Sequence, residues 1–67
     1  MKYKYDHETD TLVITLSDGK PDFGEHEGDI ITHYAKNGKP IEIEILNASK
    51  TALDMMRAMI NQKKVPA

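Results

Sequence analysis

Three histidines and the carboxylates beside them are the residues of this chain whose types could do chemistry. His7 lies in the acidic run 6–10, His26 lies between two glutamates, and His33 follows a short apolar segment. Imidazole nitrogens and carboxylate oxygens bind transition metals, so a metal or ligand site is one hypothesis for this chain. The spacing matches neither His-x3-His nor His-Glu-x2-His, which place two ligands on one helix face. We therefore predict no metal-binding residue and no cofactor, and keep a metal or ligand site on a histidine face as an alternative.

The acidic run 6–10, with the sequence Asp-His-Glu-Thr-Asp, also contains paired carboxylates of the kind used in general acid–base catalysis. Such a pair needs one carboxyl group whose pKa is raised toward neutrality, and an exposed polar turn offers no burial to raise it. Asp and Thr are common in turns because their side chains bond to the nearby backbone. Ser17 and Ser49 lack the Gly-x-Ser-x-Gly context of a nucleophile elbow. We predict a turn for this run, no catalytic residue and no enzymatic activity.

The amino-acid composition and the net charge limit the expected domain number, partners and location of this protein. The chain has 67 residues, with one Phe, three Tyr and no Trp, which predicts a single domain over residues 1–67 with a thin core. Nine Lys and Arg against eleven Asp and Glu give a net charge of −2, which does not favour general binding to nucleic-acid phosphates or anionic lipid. The chain has no cysteine, no apolar leader segment and no apolar run of membrane length. These features favour a cytoplasmic location without a membrane partner.

Alternating apolar and polar residues predict four strands, over residues 1–6, 11–17, 28–35 and 40–46. The clearest alternation, Ile-Glu-Ile-Glu-Ile over residues 41–45, follows Asn37-Gly38, a strong signal for a two-residue type I′ turn. That turn sets opposite one another Lys36 and Lys39, Tyr34 and Ile41, Thr32 and Ile43, and Ile30 and Ile45. His33 then faces Glu42 on the other side of the sheet, where an ion pair accounts for both residues.

The first hairpin follows the same logic. A turn centred on Glu8-Thr9 pairs Tyr5 with Leu12, Tyr3 with Ile14, and Met1 with Leu16. Both hairpins then present one apolar face. Between them, residues 17–27 read as a polar loop, and a brief edge strand around Asp22-Phe23 stays open as an alternative.

Residues 48–62 are predicted to form the only helix. Asn47 stands where its side-chain oxygen could accept the N–H of Ser49 or Lys50 as an N-cap. At about 100° per residue, the apolar side chains of this helix fill a continuous arc of roughly 160°. These side chains, which we call the helix strip, are Ala48, Ala52, Leu53, Met55, Met56, Met59 and Ile60. The elements together predict an α+β fold, a four-stranded antiparallel β-meander in the order 1-2-3-4 with this helix packed on its apolar face and a tail over residues 63–67.

A series of motifs along residues 5–49 resembles one known family. The motifs are Tyr5-Asp6, Asp10, Leu12-Val13-Ile14-Thr15-Leu16, Gly28-Asp29-Ile30-Ile31, Asn37-Gly38 and Ile43-Glu44-Ile45-Leu46-Asn47-Ala48-Ser49. They are similar to those of DUF2283, a small bacterial and archaeal domain of unknown function. The chain departs from the family pattern at His33 and Ala35, where relatives carry aspartates, and at Glu42, where they carry glycine. The resemblance implies a small stand-alone protein without an established enzymatic role, and some members look like the antidote half of toxin–antitoxin pairs.

The width of the helix strip bears on function. An arc of roughly 160° exceeds the stripe of roughly 100° that packing on one sheet requires, so the Met55 and Met59 edge is left for another chain. Core filling by flexible methionines is the alternative interpretation. We predict a non-catalytic protein-interaction module, either a homodimer or the partner of another protein, with an antitoxin-like partner of a small toxin as one form. The predicted partner-binding residues are Ala52, Met55 and Met59 on the helix and Val13 and Ile31 on the outer sheet face. A small nucleic-acid-binding or regulatory protein is the other alternative.

Overall fold

The computed structural model describes residues 1–63, which form five β-strands and one α-helix. The strands are β1 (Lys2–Asp6), β2 (Thr11–Thr15), β3 (Phe23–Glu27), β4 (Ile30–Tyr34) and β5 (Pro40–Ile45), and the helix is α1 (Ala48–Lys63). The fold is therefore α+β with an antiparallel sheet and one C-terminal helix, as predicted. From residue 64 onward the predicted tail lies outside the described residues.

The number and order of the strands differ from the predicted four-stranded 1-2-3-4 meander. The additional strand is β3, which lies at the edge of the sheet and begins at Phe23, where the sequence leaves open a brief edge strand within the predicted polar loop. The strands lie in the order β1-β2-β5-β4-β3, so β5 is central and pairs with both β2 and β4. The reason is composition, since β5 carries the densest isoleucine alternation, whereas the charged strands β1 and β3 suit the edges.

The connection from β2 to β3 crosses one end of the sheet and gives a Greek-key arrangement. At its start the Leu16 N–H donates to the carbonyl oxygen of Ile41 at 2.8 Å, and at its end the Asp22 N–H donates to the carbonyl oxygen of Tyr34 at 2.8 Å. Between them, Gly19 lies so close that a Cβ atom there would be 3.2 Å from Ile41 Cδ1. The connection therefore packs against Ile41.

The register of both hairpins follows the alternation of the sequence. The observed pairs include Tyr5 with Leu12, Tyr3 with Ile14, Thr32 with Ile43, and Ile30 with Ile45, all as predicted. The β1–β2 ladder ends at Lys2 and Thr15, so the predicted pair of Met1 with Leu16 is not part of it. A one-residue slip would turn each apolar set to the opposite face, which is why the pattern specifies the pairing.

The turn between β4 and β5 is not the predicted two-residue type I′ turn. That turn needs positive φ at both Asn37 and Gly38, and of these two only Gly38 has it, at 89°. The Gly38 N–H donates to the carbonyl oxygen of Ala35 at 2.9 Å, and the Ala35 N–H donates to that of Lys39 at 2.8 Å. These bonds indicate a type I turn closed by a glycine bulge, with Ala35 in the place predicted for Lys36.

A β-bulge in β5 offsets the change in the turn, so that residues 30–33 pair with residues 42–45 in the predicted register. The β4–β5 pairing shifts between His33 and Tyr34, so Tyr34 lies opposite Pro40 and not opposite Ile41 as predicted. Ile41 becomes the additional residue of this bulge, and it is only 3% exposed. The bulge thus turns one residue of the central strand into the most buried side chain of the sheet.

Alternation gives the sheet two chemically different faces. The apolar face carries Tyr3, Tyr5, Leu12, Ile14, Ile30, Thr32, Tyr34, Ile43 and Ile45, with Glu25 and Glu27 at its β3 edge. The outer face carries Lys2, Lys4, Val13, Thr15, Ile31, His33, Glu42 and Glu44.

The helix does not pack on the apolar face, contrary to the prediction. Beyond its first turn α1 leaves the sheet, and the side chains from residue 52 to residue 62 are all exposed. Among residues 1–63 the buried apolar side chains are only Ile41, Ile45 and Ala48. The Cα radius of gyration is 14.2 Å, against about 11 Å for a compact chain of this length. The cause lies in the contacts at the start of the helix.

Candidate interaction surfaces

The first turn of α1 is capped by a residue from a distant turn and not by the predicted Asn47 side chain. Asp10 ends the β1–β2 turn, and its carbonyl oxygen accepts the N–H of Ala48 at 2.8 Å. Its carboxylate accepts the N–H of Ser49 at 3.1 Å and the Ser49 hydroxyl at 2.7 Å. Asp10 therefore satisfies two N–H groups that a helix start leaves unpaired, and its negative charge lies at the positive end of the helix dipole.

Asn47 occupies the N-cap position without the usual N-cap conformation. Its carbonyl oxygen accepts the first intrahelical bond, from the Thr51 N–H at 3.0 Å. Its φ of 48° lies in the left-handed region, whereas a capping side chain normally needs extended backbone. Its Nδ2 instead donates to Asp29 Oδ1 at 3.3 Å, and the Leu46 N–H donates to the Asp29 carbonyl oxygen at 2.7 Å. The β1–β2 and β3–β4 turns thus both hold the helix start, and this sets the direction in which α1 leaves the sheet.

The Asp10 carboxylate has a further donor, the Tyr5 hydroxyl, at 2.7 Å. This bond, followed by the bond from the Ser49 hydroxyl, holds the pKa of the Asp10 carboxyl below its usual value, and the Tyr5–Asp10 bond raises the pKa of the Tyr5 hydroxyl. In the same turn, Asp6 Oδ1 accepts the N–H of Glu8 at 3.0 Å. The carboxylates of Asp6 and Asp10 therefore act as hydrogen-bond acceptors for a turn and a cap. A carboxyl with a lowered pKa is also a poor general acid near neutral pH.

Three of the predicted partner-binding residues, Ala52, Met55 and Met59, lie on α1 and are exposed. Met59 is 60% exposed, although its thioether side chain is one of the larger apolar groups of the chain. The sheet does not cover them, because α1 diverges from it after the first turn. These residues form one side of a continuous apolar surface along the helix.

The other side of that surface consists of Leu53, Met56 and Ile60, which sequence reasoning assigns to the core beneath the helix. They are 45%, 52% and 50% exposed, so the whole helix strip beyond Ala48 is open. A helical wheel orders side chains around the axis but contains no information on where the axis points. The sequence therefore contains no signal that predicts these three residues to be exposed.

The apolar face of the sheet is the second uncovered surface. Its central residues Leu12, Ile14 and Ile43 are only half-buried, and Tyr3 and Tyr5 at the β1 edge are exposed. In most sheet–helix domains such a face lies against a helix. Here the chain's own helix leaves it open.

The β3 edge of the apolar face carries an acidic rim. A shallow depression there is lined by Glu25, Glu27, Ile30, Thr32 and Tyr34. The ring of Phe23 stacks on that of Tyr34 with 5.2 Å between ring centroids, which fixes the polar strand β3 to its neighbour. This edge therefore combines apolar contact area with two carboxylates.

The two remaining predicted partner-binding residues, Val13 and Ile31, lie on the outer face and are half-buried. Both are directly opposite Glu44, which lies between them. His33 Nε2 is 3.3 Å from Glu44 Oε1, so His33 makes its side-chain contact diagonally with Glu44 and not with Glu42, which is directly opposite. This polar contact interrupts the area between Val13 and Ile31, and the structure does not join these two residues to the helix strip.

The histidines are distributed over separate elements. His7 lies in the β1–β2 turn, His26 on β3 and His33 on β4. Within residues 1–63, no three His, Asp or Glu side chains come together in a group that could hold a metal ion. In the same part of the chain, no helix has the length and apolar character needed to cross a bilayer. A metal site on these histidines stays a hypothesis for chelation experiments.

Comparison with known proteins gives one match. A family model described as a protein of unknown function (DUF2283) matches residues 2–49. The matched segment contains all five strands and ends at Ser49, so it includes the Asp10–Ser49 contact that anchors α1. No curated protein and no solved structure matches this chain.

Proposed function

This chain belongs to the DUF2283 family of proteins of unknown function, and we propose that it is a non-catalytic protein-interaction module whose contact surface is the helix strip. The proposal depends on one observation. The helix strip and the apolar face are both uncovered, and neither covers the other. Contiguous apolar surface in water is typical of protein contact sites. A small chain with so few buried apolar side chains gains its missing core from such a contact.

A second copy of the chain is the simplest partner, since a two-fold axis lets one surface bury its own copy. A heterologous partner, such as a small toxin that this chain would neutralise, would bind the same helix strip and compete with the dimer. Only the family resemblance suggests the toxin. We also place the module in the cytoplasm, because a chain without cysteine gains nothing from an oxidising compartment.

Light scattering on the wild type and on Met55→Lys/Met59→Lys tests the proposal. Two lysines in the helix strip should lower the average molar mass at a given concentration and raise solubility. The matched control Ala58→Lys/Asn61→Lys places the same charges on the polar side of α1 and should behave as the wild type. Circular dichroism checks that every variant keeps its helix. A wild type that stays monomeric at high concentration, with a Met55/Met59 variant no more soluble than it, would remove the case for this surface.

A further inference from the structure

We propose that two copies of this chain form a dimer by reciprocal helix exchange, in which α1 of each copy lies across the apolar face of the other. The inference rests on the proposed function and names the partner of that same surface. Each copy offers a helix strip and an apolar face, both uncovered. Around a two-fold axis the same contact forms twice, so each copy gives one helix and receives one.

The anchor at the helix start prevents α1 from covering its own sheet. Asp10 and Asp29 hold residues 46–49 by hydrogen bonds of 2.7–3.3 Å. Only Leu46 and Asn47 lie between β5 and α1, and both are within the anchor. A connection of two residues gives no slack for the helix to fold back while these bonds hold. A second copy can cover the apolar face without breaking any of them.

The two surfaces agree in size. The 16 residues of α1 span about 24 Å at 1.5 Å per residue. Five strands spaced by about 4.8 Å make the sheet about 19 Å wide between its outer strands. One helix therefore crosses one sheet, with its last turn extending slightly beyond the edge.

The chain exposes more surface than a compact monomer of its mass, and the difference agrees with a dimer. The accessible surface is 5465 Å², whereas a compact monomer of 7.6 kDa exposes about 4300 Å². The excess, on the order of 1,000 Å², is comparable to the roughly 800 Å² that each partner buries in a stable interface of standard size. Mutual burial of the helix strip and the apolar face would bring each copy close to the surface of a compact domain.

The charges beside these surfaces are complementary within one sequence. Arg57 follows Leu53 by one helical turn and lies at the border of the helix strip. Glu25 and Glu27 form the acidic rim of the apolar face. A helix strip placed on the apolar face of a second copy therefore meets opposite charge at that rim, which favours a second copy over an unrelated chain.

Disulfide cross-linking between two singly substituted preparations tests the exchange, because the chain has no cysteine of its own. Thr32→Cys places a thiol in the middle of the apolar face, and Met56→Cys places one in the middle of the helix strip. Refolded together in oxidised glutathione, the two should give a covalent heterodimer of twice the chain mass. Thr15→Cys on the outer face and Ala58→Cys on the polar side of α1 are matched controls, and substituting either one into the mixture should remove the heterodimer.

Three results would overturn the exchange. A chain carrying both Thr32→Cys and Met56→Cys that closes a disulfide within itself at low concentration would show that the helix covers its own sheet. Met56→Cys that cross-links mainly to itself would show helix against helix. A dimeric molar mass without the mixed cross-link would place the interface elsewhere. The second and third results leave the interaction role standing. The first overturns both proposals, as does a monomeric wild type that gains no solubility from Met55→Lys/Met59→Lys.

Discussion

Replacing Ile41 by alanine tests how much of the monomer is held by its few buried side chains. Ile41 is the most buried apolar residue among residues 1–63, it forms the bulge of the central strand, and the connection at Gly19 packs against it. Truncating a buried isoleucine to alanine costs about 2–5 kcal/mol of unfolding free energy. Because the connection above Ile41 lies at the surface and can partly collapse into the space, we expect a value of about 3 kcal/mol.

That cost is large against the stability available to this chain. Folded domains are stable by about 0.05–0.15 kcal/mol per residue, which gives roughly 3–10 kcal/mol for 67 residues. Among the described residues the buried apolar side chains are only Ile41, Ile45 and Ala48. We therefore expect the unfolding free energy of the monomer to lie at the low end of this range. We therefore expect Ile41→Ala to be at least half unfolded in water at low concentration. The matched control Ile43→Ala, half-buried on the apolar face, should lose only about 1 kcal/mol.

Urea unfolding followed by circular dichroism at low micromolar concentration compares the two variants. Repeating the titration at high concentration adds a second readout, because burial of Ile43 by a second copy would increase the loss caused by Ile43→Ala. The loss caused by Ile41→Ala should not depend on that contact, since the chain's own connection covers Ile41. Equal unfolding midpoints for the two variants at low concentration would refute the assignment of Ile41 as the residue that holds the monomer together.

Two further predictions concern the polar residues. The pKa of the Asp10 carboxyl is lowered in the folded chain, so its contribution to stability is present above the pKa of the unfolded carboxyl and is lost as the pH falls through the folded value. Thermal melting at neutral and at strongly acidic pH should therefore show a smaller drop for Asp10→Asn than for the wild type, and equal drops would contradict the anchoring role. Excess EDTA, or joint replacement of His7, His26 and His33 by Asn, should leave the melting temperature unchanged, and a clear drop on chelation would show that a metal supports the fold.

The sequence predicted the pairing within hairpins better than the arrangement of the hairpins. Tyr5 pairs with Leu12 and Thr32 with Ile43 as the alternation requires, because a slip would place apolar side chains in water. Alternation is a property of one strand at a time, so it does not report which strand of one hairpin pairs with which strand of the next. The strand β3 carries Phe-Gly-Glu-His-Glu, which lacks an apolar alternation, so the sequence predicts a strand there only as an alternative to a loop.

The candidate surface was predictable only in part. The amphipathic pattern identified Met55 and Met59 as apolar residues in excess of what one sheet can cover, and both are exposed. The same pattern assigned Leu53 and Met56 to a core, because a helix with an apolar stripe normally lies on a sheet. The exposure of these two residues depends on the direction of the helix axis, which no periodicity reports.

By itself, the sequence determined the local and periodic features of this protein. These are the two faces of β1, β2, β4 and β5, most of the pairs within the β1–β2 and β4–β5 hairpins, the presence of one amphipathic helix, and an acidic composition without cysteine. Only the tertiary structure determined the direction of that helix relative to the sheet. Asp10 and Ser49 are 39 residues apart and meet only because the β1–β2 turn and the end of β5 reach the same end of the sheet. A hydrogen bond between such distant residues depends on strand order, and together with the contacts of Asp29 it sets the direction in which α1 leaves the sheet.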